Sequence, residues 1–412
     1  MNAVARRLAN RRFPLLAALV LIAAGLAGTI WGPRYYGKTA WALPDDLWGT
    51  MIAAQRLLHL DLAGLYTPPT ALVSLPGTAV IMVPLVAVAD LAGLGVVMPH
   101  GPYPALWLLA GPYQVAISSV ALFGADALAE RMGASPARRF VLAAAGGAAL
   151  WSVTVRWGHP EDAVAVGLLL YAADSLYAGS QAGDRTARAG WLAGAAVAVQ
   201  PLVLLALPVL AVVIPLRRLP GFAVRAVTPP AIALAIAVAA NPAATLHAVT
   251  SQPNSPQIDH PTPWIYLAPQ QADHLVAAGP ARIAAIAAAC GCALFAARRA
   301  QSLPGLLWWV AVALAVRSVF EPVMVAYYLW PPLAVALIAA AADWPRLLRA
   351  APVAVALTFF AQIWWHNPWM WWTPMVAGLG LTLYLARPTL AGAAPPQVLP
   401  EPGEEFVPGG AP

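Results

Sequence analysis

The run FPLLAALVLIAAGLAGTI at residues 13–30 is the stretch that decides the fold class. It is free of charge and close to the roughly 20 apolar residues that an α-helix needs to cross a ~30 Å hydrocarbon core. Four arginines, Arg6, Arg7, Arg11 and Arg12, precede it. Because arginine is enriched on the cytoplasmic side of spanning helices, we expect an uncleaved anchor whose N-terminus lies in the cytoplasm.

The remainder of the chain repeats this apolar character. Of its 412 residues, 61% are hydrophobic and 10% are charged, whereas soluble domains carry about 25% charged residues. The apolar runs lack the alternation of β-barrel strands, so we predict an all-α polytopic membrane protein. Residues 1–386 would form one bundle of roughly 10–12 transmembrane helices. The further runs lie near residues 71–97, 104–128, 140–156, 163–179, 190–214, 226–241, 276–297, 303–319, 325–342, 350–365 and 373–386.

Two of these runs have features that oppose a simple crossing. Residues 71–97 contain two prolines and Asp90, and residues 190–214 are interrupted by Gln200-Pro201. If every run crosses, five arginines fall outside the cell, against the positive-inside bias: Arg131, Arg138, Arg139, Arg185 and Arg188. We therefore expect the first run to lie along the outer surface and the second to return to its own side. The preferred topology has both termini in the cytoplasm of a plasma-membrane protein.

Polar segments complete the predicted domain organisation. Residues 31–70 form an acidic first outer loop, and residues 241–275 form a second large outer loop. Residues 387–412 are rich in Pro, Gly and Glu and predict a disordered cytoplasmic tail.

The only cysteines, Cys290 and Cys292, predict a packed thiol pair rather than a metal site. Arginines at the ends of apolar runs report topology and argue against nucleic-acid binding.

Asp45 and Asp46 are the candidate catalytic residues. They follow Pro44 in the first outer loop and precede an amphipathic segment. A carboxylate held there suits acceptance of a proton from a substrate hydroxyl. The alternative is that one of them caps the N-terminus of the next helix. A cap needs only one acid, and two adjacent carboxylates raise each other's pKa.

A second group of ionisable residues lies at the junction of two apolar spans. His159, Glu161 and Asp162 fall within four residues, and three such groups at an outer face suit the binding of sugar hydroxyls. The alternative is a polar turn whose acids open the next helix.

Arg317 and Glu321 interrupt apolar runs close to Tyr327 and Tyr328. Their i, i+4 spacing is compatible with an ordinary helix-surface ion pair. An ionisable residue at membrane depth is by default a functional-site hypothesis, however, and a guanidinium suits a lipid phosphate. His260, in the long second loop, is either a further polar contact or a loop histidine without a role.

Several short motifs resemble those of a known superfamily. Asp46-Leu-Trp-Gly stands in the first outer loop, followed by Leu65-Tyr66, Pro68-Pro69 and an apolar segment with Pro84. This pattern resembles the integral-membrane GT-C superfamily, and within it the actinobacterial polyprenyl-phosphate-mannose-dependent mannosyltransferases. The resemblance extends loosely from residue 13 to about residue 386.

Two further elements are similar to that family but depart from it. The segment Arg188-Ala-Gly190-Trp-Leu-Ala-Gly194 fits the family's Ala-Gly…Gly-Leu-Ala element, but Gln200 before Pro201 replaces the usual Lys. The Gly-His-Pro-Glu-Asp motif at residues 158–162 replaces a Gly-Gln-x-Asn form. These departures bear on the identity of the sugar and the acceptor.

The resemblance implies an inverting glycosyltransferase of cell-envelope biosynthesis with a GT-C-like bundle. A polyprenyl-phosphate sugar, most often mannose in this family, would enter from the bilayer, and a lipid or glycan acceptor would enter from the outer side. Asp46 would be the base, Arg317 would hold the phosphate, and a divalent metal is compatible with this scheme but not required. The expected substrate-binding residues are His159, Glu161, Asp162, Arg317, Glu321, His260, Tyr66 and Tyr328.

Two other functions stay open at this point. A transporter or lipid flippase would use the buried acids along a translocation path and would contain paired broken helices in its two halves. Only the 190–214 run is clearly broken in the sequence. A non-catalytic subunit of a cell-envelope complex would suit the altered motifs, although the presence of both Asp45 and Asp46 weighs against it.

Overall fold

The computed structural model is mostly helical. It describes residues 10–31, 45–68, 72, 74–96, 104–177, 182–251, 254–256, 259–271, 274–277, 279–299, 302–363 and 367–388. The helices are α1 (Arg12–Trp31), α2 (Asp45–Leu58), α3 (Gly77–Val80), α4 (Val83–Leu91), α5 (Pro104–Arg131), α6 (Pro136–Trp151), α7 (Pro160–Tyr177), α8 (Ala182–Val199), α9 (Leu207–Ala211), α10 (Leu219–Ala240), α11 (Pro242–Ser251), α12 (Gly279–Arg299), α13 (Leu303–Phe320), α14 (Trp330–Ala340), α15 (Trp344–Phe360) and α16 (Pro368–Ala386). The predicted tail falls outside this description from residue 389 onward.

Short irregular segments connect these helices. The strands β1 (His260–Pro261) and β2 (Val323–Met324) are antiparallel, with His260 opposite Met324. They tie the long second loop to the segment that follows α13. The remaining segments are a π-helix at Ser152–Arg156 and 3-10 helices at Pro201–Ala206, Leu216–Arg218, Pro263–Leu267 and Ala326–Leu329.

Within the described residues, four helices are long and apolar enough to cross a membrane: Leu106–Arg131, Leu216–Ala240, Gly279–Arg299 and Leu303–Phe320. This finding agrees with the prediction of an all-α membrane protein. In the run at 71–97, the helices among the described residues are α3 and α4, and the nine residues of α4 span about 14 Å at 1.5 Å per residue. Neither helix can cross a bilayer.

Salt bridges connect α1, α5, α6 and α7 at one end of the bundle. Arg11, just before α1, lies 2.9 Å from Asp126 near the end of α5. Arg139, at the start of α6, lies 2.6 Å from the same carboxylate. Asp126 is buried, and Arg131 pairs with Asp174 near the end of α7. We call this the arginine-rich end.

The run at 190–214 is broken as its Gln200-Pro201 pair predicts. The helix α8 ends at Val199, Gln200 is extended (φ −147°, ψ 110°), and a 3-10 helix follows. Gly190 then lies beside Arg225 and Gly194 lies beside Pro229, so α8 and α10 run in the same direction. The chain between them must therefore return to the arginine-rich end.

A second, smaller apolar core surrounds α2 and α4. It buries Leu47, Met51 and Leu85 and lies apart from the main core of the bundle. Two elements link the cores: α5 contributes buried residues to both, and the Thr78 hydroxyl of α3 donates to the Val199 carbonyl at 2.6 Å. This contact holds the α2–α4 unit against the last turn of α8, next to Gln200.

Candidate functional site

A π-helix and a glycine with positive φ connect α6 to the motif at residues 158–162. The π-helix ends with the Trp157 amide donating to the Ser152 carbonyl at 3.1 Å. Gly158 follows with φ of +69°, a conformation that glycine adopts without strain. Single π turns are frequent at functional sites. Here the turn delivers His159 to the start of α7.

His159 is held by two neighbours inside the bundle. Its Nδ1 lies 2.6 Å from the Oε1 of Glu161, and both side chains are buried. The imidazole ring stacks on Tyr327 with 4.0 Å between ring centroids. A carboxylate on one ring nitrogen fixes the orientation of the imidazole. The pair therefore has one fixed geometry and is suited to polar contact with a ligand.

Asp162 is the most deeply buried acid of the motif. Its Oδ1 accepts a hydrogen bond from the Gln200 amide at 2.7 Å, across the break that ends α8. Its Oδ2 is buried and accepts no hydrogen bond from any described residue. Leaving such an oxygen without a donor costs about 1–3 kcal/mol. A ligand hydroxyl could supply that donor.

Arg317 lies near the end of α13 and interacts electrostatically with Asp162. Its guanidinium lies over the Tyr328 ring, 3.7 Å from the centroid. Its Nε is 3.5 Å from Glu321, longer than the ~2.7–2.9 Å of a strong charge-assisted hydrogen bond. The Arg317 guanidinium therefore retains hydrogen-bonding capacity for an anionic ligand.

Glu321 connects this region to two more elements. Its carboxylate is buried and lies 3.2 Å from Arg282 near the start of α12. The Thr262 hydroxyl donates to the Glu321 carbonyl at 2.7 Å. The long second loop and α12 thus both meet the chain at the end of α13.

These residues together form what we call the polar cluster: His159, Glu161, Asp162, Gln200, Arg317 and Glu321. It lies opposite the arginine-rich end, because α6 leads from Arg139, in its first turn, toward His159, and α7 returns to Asp174. Buried ionisable groups inside an apolar bundle are expensive and are commonly functional.

His260 packs on a neighbouring part of the same end. Its ring stacks on Trp371 of α16 with 4.1 Å between centroids, and its Nε2 lies 3.4 Å from the Ile363 carbonyl. The β1–β2 pairing brings its backbone beside Met324, shortly before Tyr327. His260 is thus connected to the polar cluster through the strand pair.

Tyr66 lies in the smaller apolar core rather than in the polar cluster. Its hydroxyl donates to the Ser74 carbonyl at 2.7 Å. Burial raises the pKa of the Tyr66 phenol, so the hydroxyl is a neutral donor. In this structure it closes the turn that follows α2.

Asp45 and Asp46 begin α2, but their side chains lie outside the described part of the chain. The helix is amphipathic and buries Leu47 and Met51 on the face that packs against α4. The predicted helix after Asp45-Asp46 is therefore present. The chemical role of the two carboxylates stays a prediction.

The structure adds contacts that the sequence did not predict. Arg282 and Thr262 reach Glu321 from distant segments, and Tyr327 supplies the ring under His159. Gln200 was the one added member of the polar cluster that the sequence marked, because a polar residue before proline interrupts the apolar run at 190–214. Among the described residues, no group of three or more His, Cys, Asp or Glu is arranged to hold a metal ion.

Neither models of known protein families nor curated proteins match this chain. The polar cluster is consequently the main guide to function. It combines a guanidinium, buried carboxylates, an amide and stacked aromatic rings, and that combination suits a ligand with both an anionic group and several hydroxyls.

Proposed function

We propose that this protein is a membrane glycosyltransferase. It would move a sugar, with mannose the first candidate, from a polyprenyl-phosphate donor to a lipid or glycan acceptor. The observation that carries the proposal is the polar cluster, in which the Gln200-bound carboxylate of Asp162 and the Arg317–Glu321 pair are held inside an apolar bundle.

Arg317 would bind the phosphate of the donor. A guanidinium matches the geometry of phosphate oxygens and keeps its charge when desolvated. The leaving group is already an anion, so a fixed cation beside it stabilises the negative charge that grows as the bond breaks. Glu321 and the Tyr328 ring would hold that cation in place.

Asp162 and His159 would bind the sugar. The Asp162 Oδ2 is an acceptor for a sugar hydroxyl, and Gln200 fixes the other oxygen of the same carboxylate. His159 is oriented by Glu161 and stacked on Tyr327. A ligand held at these points would have one orientation, which reduces the entropy cost of the reaction.

Asp46, with Asp45 beside it, would be the base. It would accept the proton of the acceptor hydroxyl as that oxygen attacks the anomeric carbon and the carbon–oxygen bond to the phosphate breaks on the opposite face. The anomeric configuration would invert. The contact between α3 and the last turn of α8 supports this role, since it ties the unit containing α2 to the position of Gln200.

The topology proposed with this function has the arginine-rich end in the cytoplasm of a plasma-membrane protein. Roughly ten to twelve crossings would then leave both termini inside and the polar cluster at the outer side. The donor would reach Arg317 from the bilayer, and the acceptor would arrive from outside.

The test is transfer of labelled mannose from polyprenyl-phosphate-mannose to endogenous membrane acceptors. Wild type, Asp46→Asn and Asp45→Asn are compared at equal expression. We expect Asp46→Asn to lower transfer by about 10²-fold or more, because general-base catalysis typically contributes 10²–10⁴-fold. Full transfer by Asp46→Asn would remove the assigned base. Absence of transfer by wild type with mannose and other polyprenyl-phosphate sugars would reject the enzyme.

One observation favours a second function, a transporter or lipid flippase. The chain is unwound at Gln200-Pro201 directly beside the buried Asp162, and unwound segments next to buried charges form binding sites in transporters. In that case reconstituted wild-type protein would move a labelled polyprenyl-phosphate lipid between leaflets without sugar transfer.

A further inference from the structure

Five arginines gather where α8 and α10 begin: Arg185, Arg188, Arg217, Arg218 and Arg225. Other arginines at this end have acidic partners, such as Arg139 with Asp126 and Arg131 with Asp174, and Arg138 donates to backbone carbonyls. None of the five forms an ion pair with a carboxylate in the part of the chain that the structure describes. We call this group the α8–α10 arginines.

Close packing of two parallel helices creates this concentration of charge. A Cβ on Gly190 would lie 2.9 Å from the Arg225 Cβ, and one on Gly194 would lie 2.6 Å from the Arg225 carbonyl oxygen. The two glycines therefore let α10 approach α8 closely. Because the helices run in the same direction, the positive ends of both helix dipoles lie at the same end as the guanidiniums.

Arg185 carries a buried hydrogen-bond donor without a described acceptor. Its Nε is buried and donates to no described acceptor. Arg225, by contrast, donates to the Gly221 carbonyl at 2.7 Å. A buried donor without an acceptor is unfavourable, so an anion bound here would satisfy it and would also offset the accumulated positive charge.

The neighbouring surface is apolar. On α10, Val224 is 65% exposed and Val227 is 61% exposed, and Trp191 of α8 is half exposed. Leu216, beside Arg217, is 84% exposed. The arginine side chains could bind the anionic headgroup of a lipid, and the exposed aliphatic side chains could contact its acyl chains. Basic pockets between transmembrane helices bind such headgroups.

We propose that an anionic phospholipid binds at the α8–α10 arginines, with its phosphate among the guanidiniums and its acyl chains along Val224 and Val227. The site is separate from the polar cluster and does not depend on glycosyl transfer.

The experiment measures lipid binding to the purified full-length chain in detergent by native mass spectrometry. Phosphatidylglycerol is titrated against phosphatidylcholine with the same acyl chains. Wild type is compared with the triple variant Arg185→Gln, Arg217→Gln, Arg218→Gln. The matched control is Arg298→Gln, Arg299→Gln, Arg349→Gln, which removes the same charge from exposed positions at other helix ends. We expect the first triple variant to bind phosphatidylglycerol at least about tenfold more weakly and the control to bind it as wild type does.

Three results would overturn the site. Equal weakening in both triple variants would indicate diffuse interfacial charge. Equal binding of the two lipids by wild type would remove the role of the anionic headgroup. Competition by soluble glycerol phosphate at the concentration at which the lipid binds would indicate a phosphate site without a lipid. If the first triple variant unfolds, Arg217→Gln with Arg218→Gln replaces it, because both residues lie outside the α-helices.

Discussion

Arg317 differs from a surface arginine in what surrounds it. Its ion-pair partner Glu321 is buried, a second buried carboxylate belongs to Asp162, and a tyrosine ring covers its guanidinium. Removing the cation would leave two buried carboxylates with less compensation, and breaking a buried pair typically costs about 3 kcal/mol or more. Arg317 is therefore important to the fold of the cluster as well as to the proposed chemistry.

We expect Arg317→Gln to lower the thermal unfolding midpoint and to reduce mannose transfer by about 10²-fold, because a fixed donor at a developing charge contributes on that scale. Arg317→Lys should keep the midpoint closer to wild type and still lose transfer, since an ammonium cannot make a bidentate contact with phosphate. Arg282→Gln is the comparison, because it removes the more exposed partner of Glu321. Full transfer by folded Arg317→Gln would contradict the phosphate-binding role.

At the scale of elements, α3 joins the smaller apolar core to the end of α8. It is only four residues long, and Gly77 lies so close to α8 that an added Cβ would overlap the Ala198 carbonyl. Any side chain at this position must displace α3, and with it the α2–α4 unit that begins at Asp45. The glycine is needed for this close approach rather than for an unusual backbone conformation.

Gly77→Ala should destabilise the protein by about 1–3 kcal/mol, as overpacking usually does. It should also lower sugar transfer, because Asp45 and Asp46 would shift relative to Gln200. The matched control is Gly291→Ala in α12, where nothing lies within 4 Å of the added Cβ. That change should be neutral or slightly stabilising, since alanine favours a helix. Unfolding of both variants is followed by heat in detergent. Equal stability of the two variants would show that α3 is not a rigid joint.

The helices themselves were largely predictable from the sequence. The apolar run at 303–319 became α13 (Leu303–Phe320), and the run at 13–30 became α1 (Arg12–Trp31), because long charge-free runs leave little alternative in a membrane. The meeting of His159 with Tyr327, or of Arg282 with Glu321, was not predictable, since residues far apart in the chain carry no periodic signal of their contact. The π-helix before Gly158 also had no marker in the sequence.

At the scale of the whole molecule, charge is distributed between two ends. The ion pairs of Arg11, Arg131 and Arg139 lie at one end, and the polar cluster lies at the other. Arginine is enriched at the cytoplasmic ends of membrane proteins. The arrangement predicts that positions near β1 and positions near the start of α10 face opposite sides of the membrane.

Single cysteines test this topology in a Cys290→Ala, Cys292→Ala background. Tyr266→Cys, after β1, should react with a membrane-impermeant maleimide on intact cells, because Tyr266 is 77% exposed at the polar-cluster end. Leu216→Cys, at the arginine-rich end, should react only after permeabilisation. Reaction of both from the same side would reject the predicted topology.

The strand pair β1–β2 has a consequence for biogenesis. His260 leaves the ribosome well before Met324, its partner, and α12 and α13 are synthesised in between. At translation rates of about 5–20 residues per second, the second loop waits on the order of several seconds before it can be anchored. During that interval the nascent chain already contains His159 and Asp162 but lacks Arg317. Asp162 is therefore synthesised well before Arg317, and until α13 follows only nearer residues such as His159 and Gln200 are present to compensate its carboxylate.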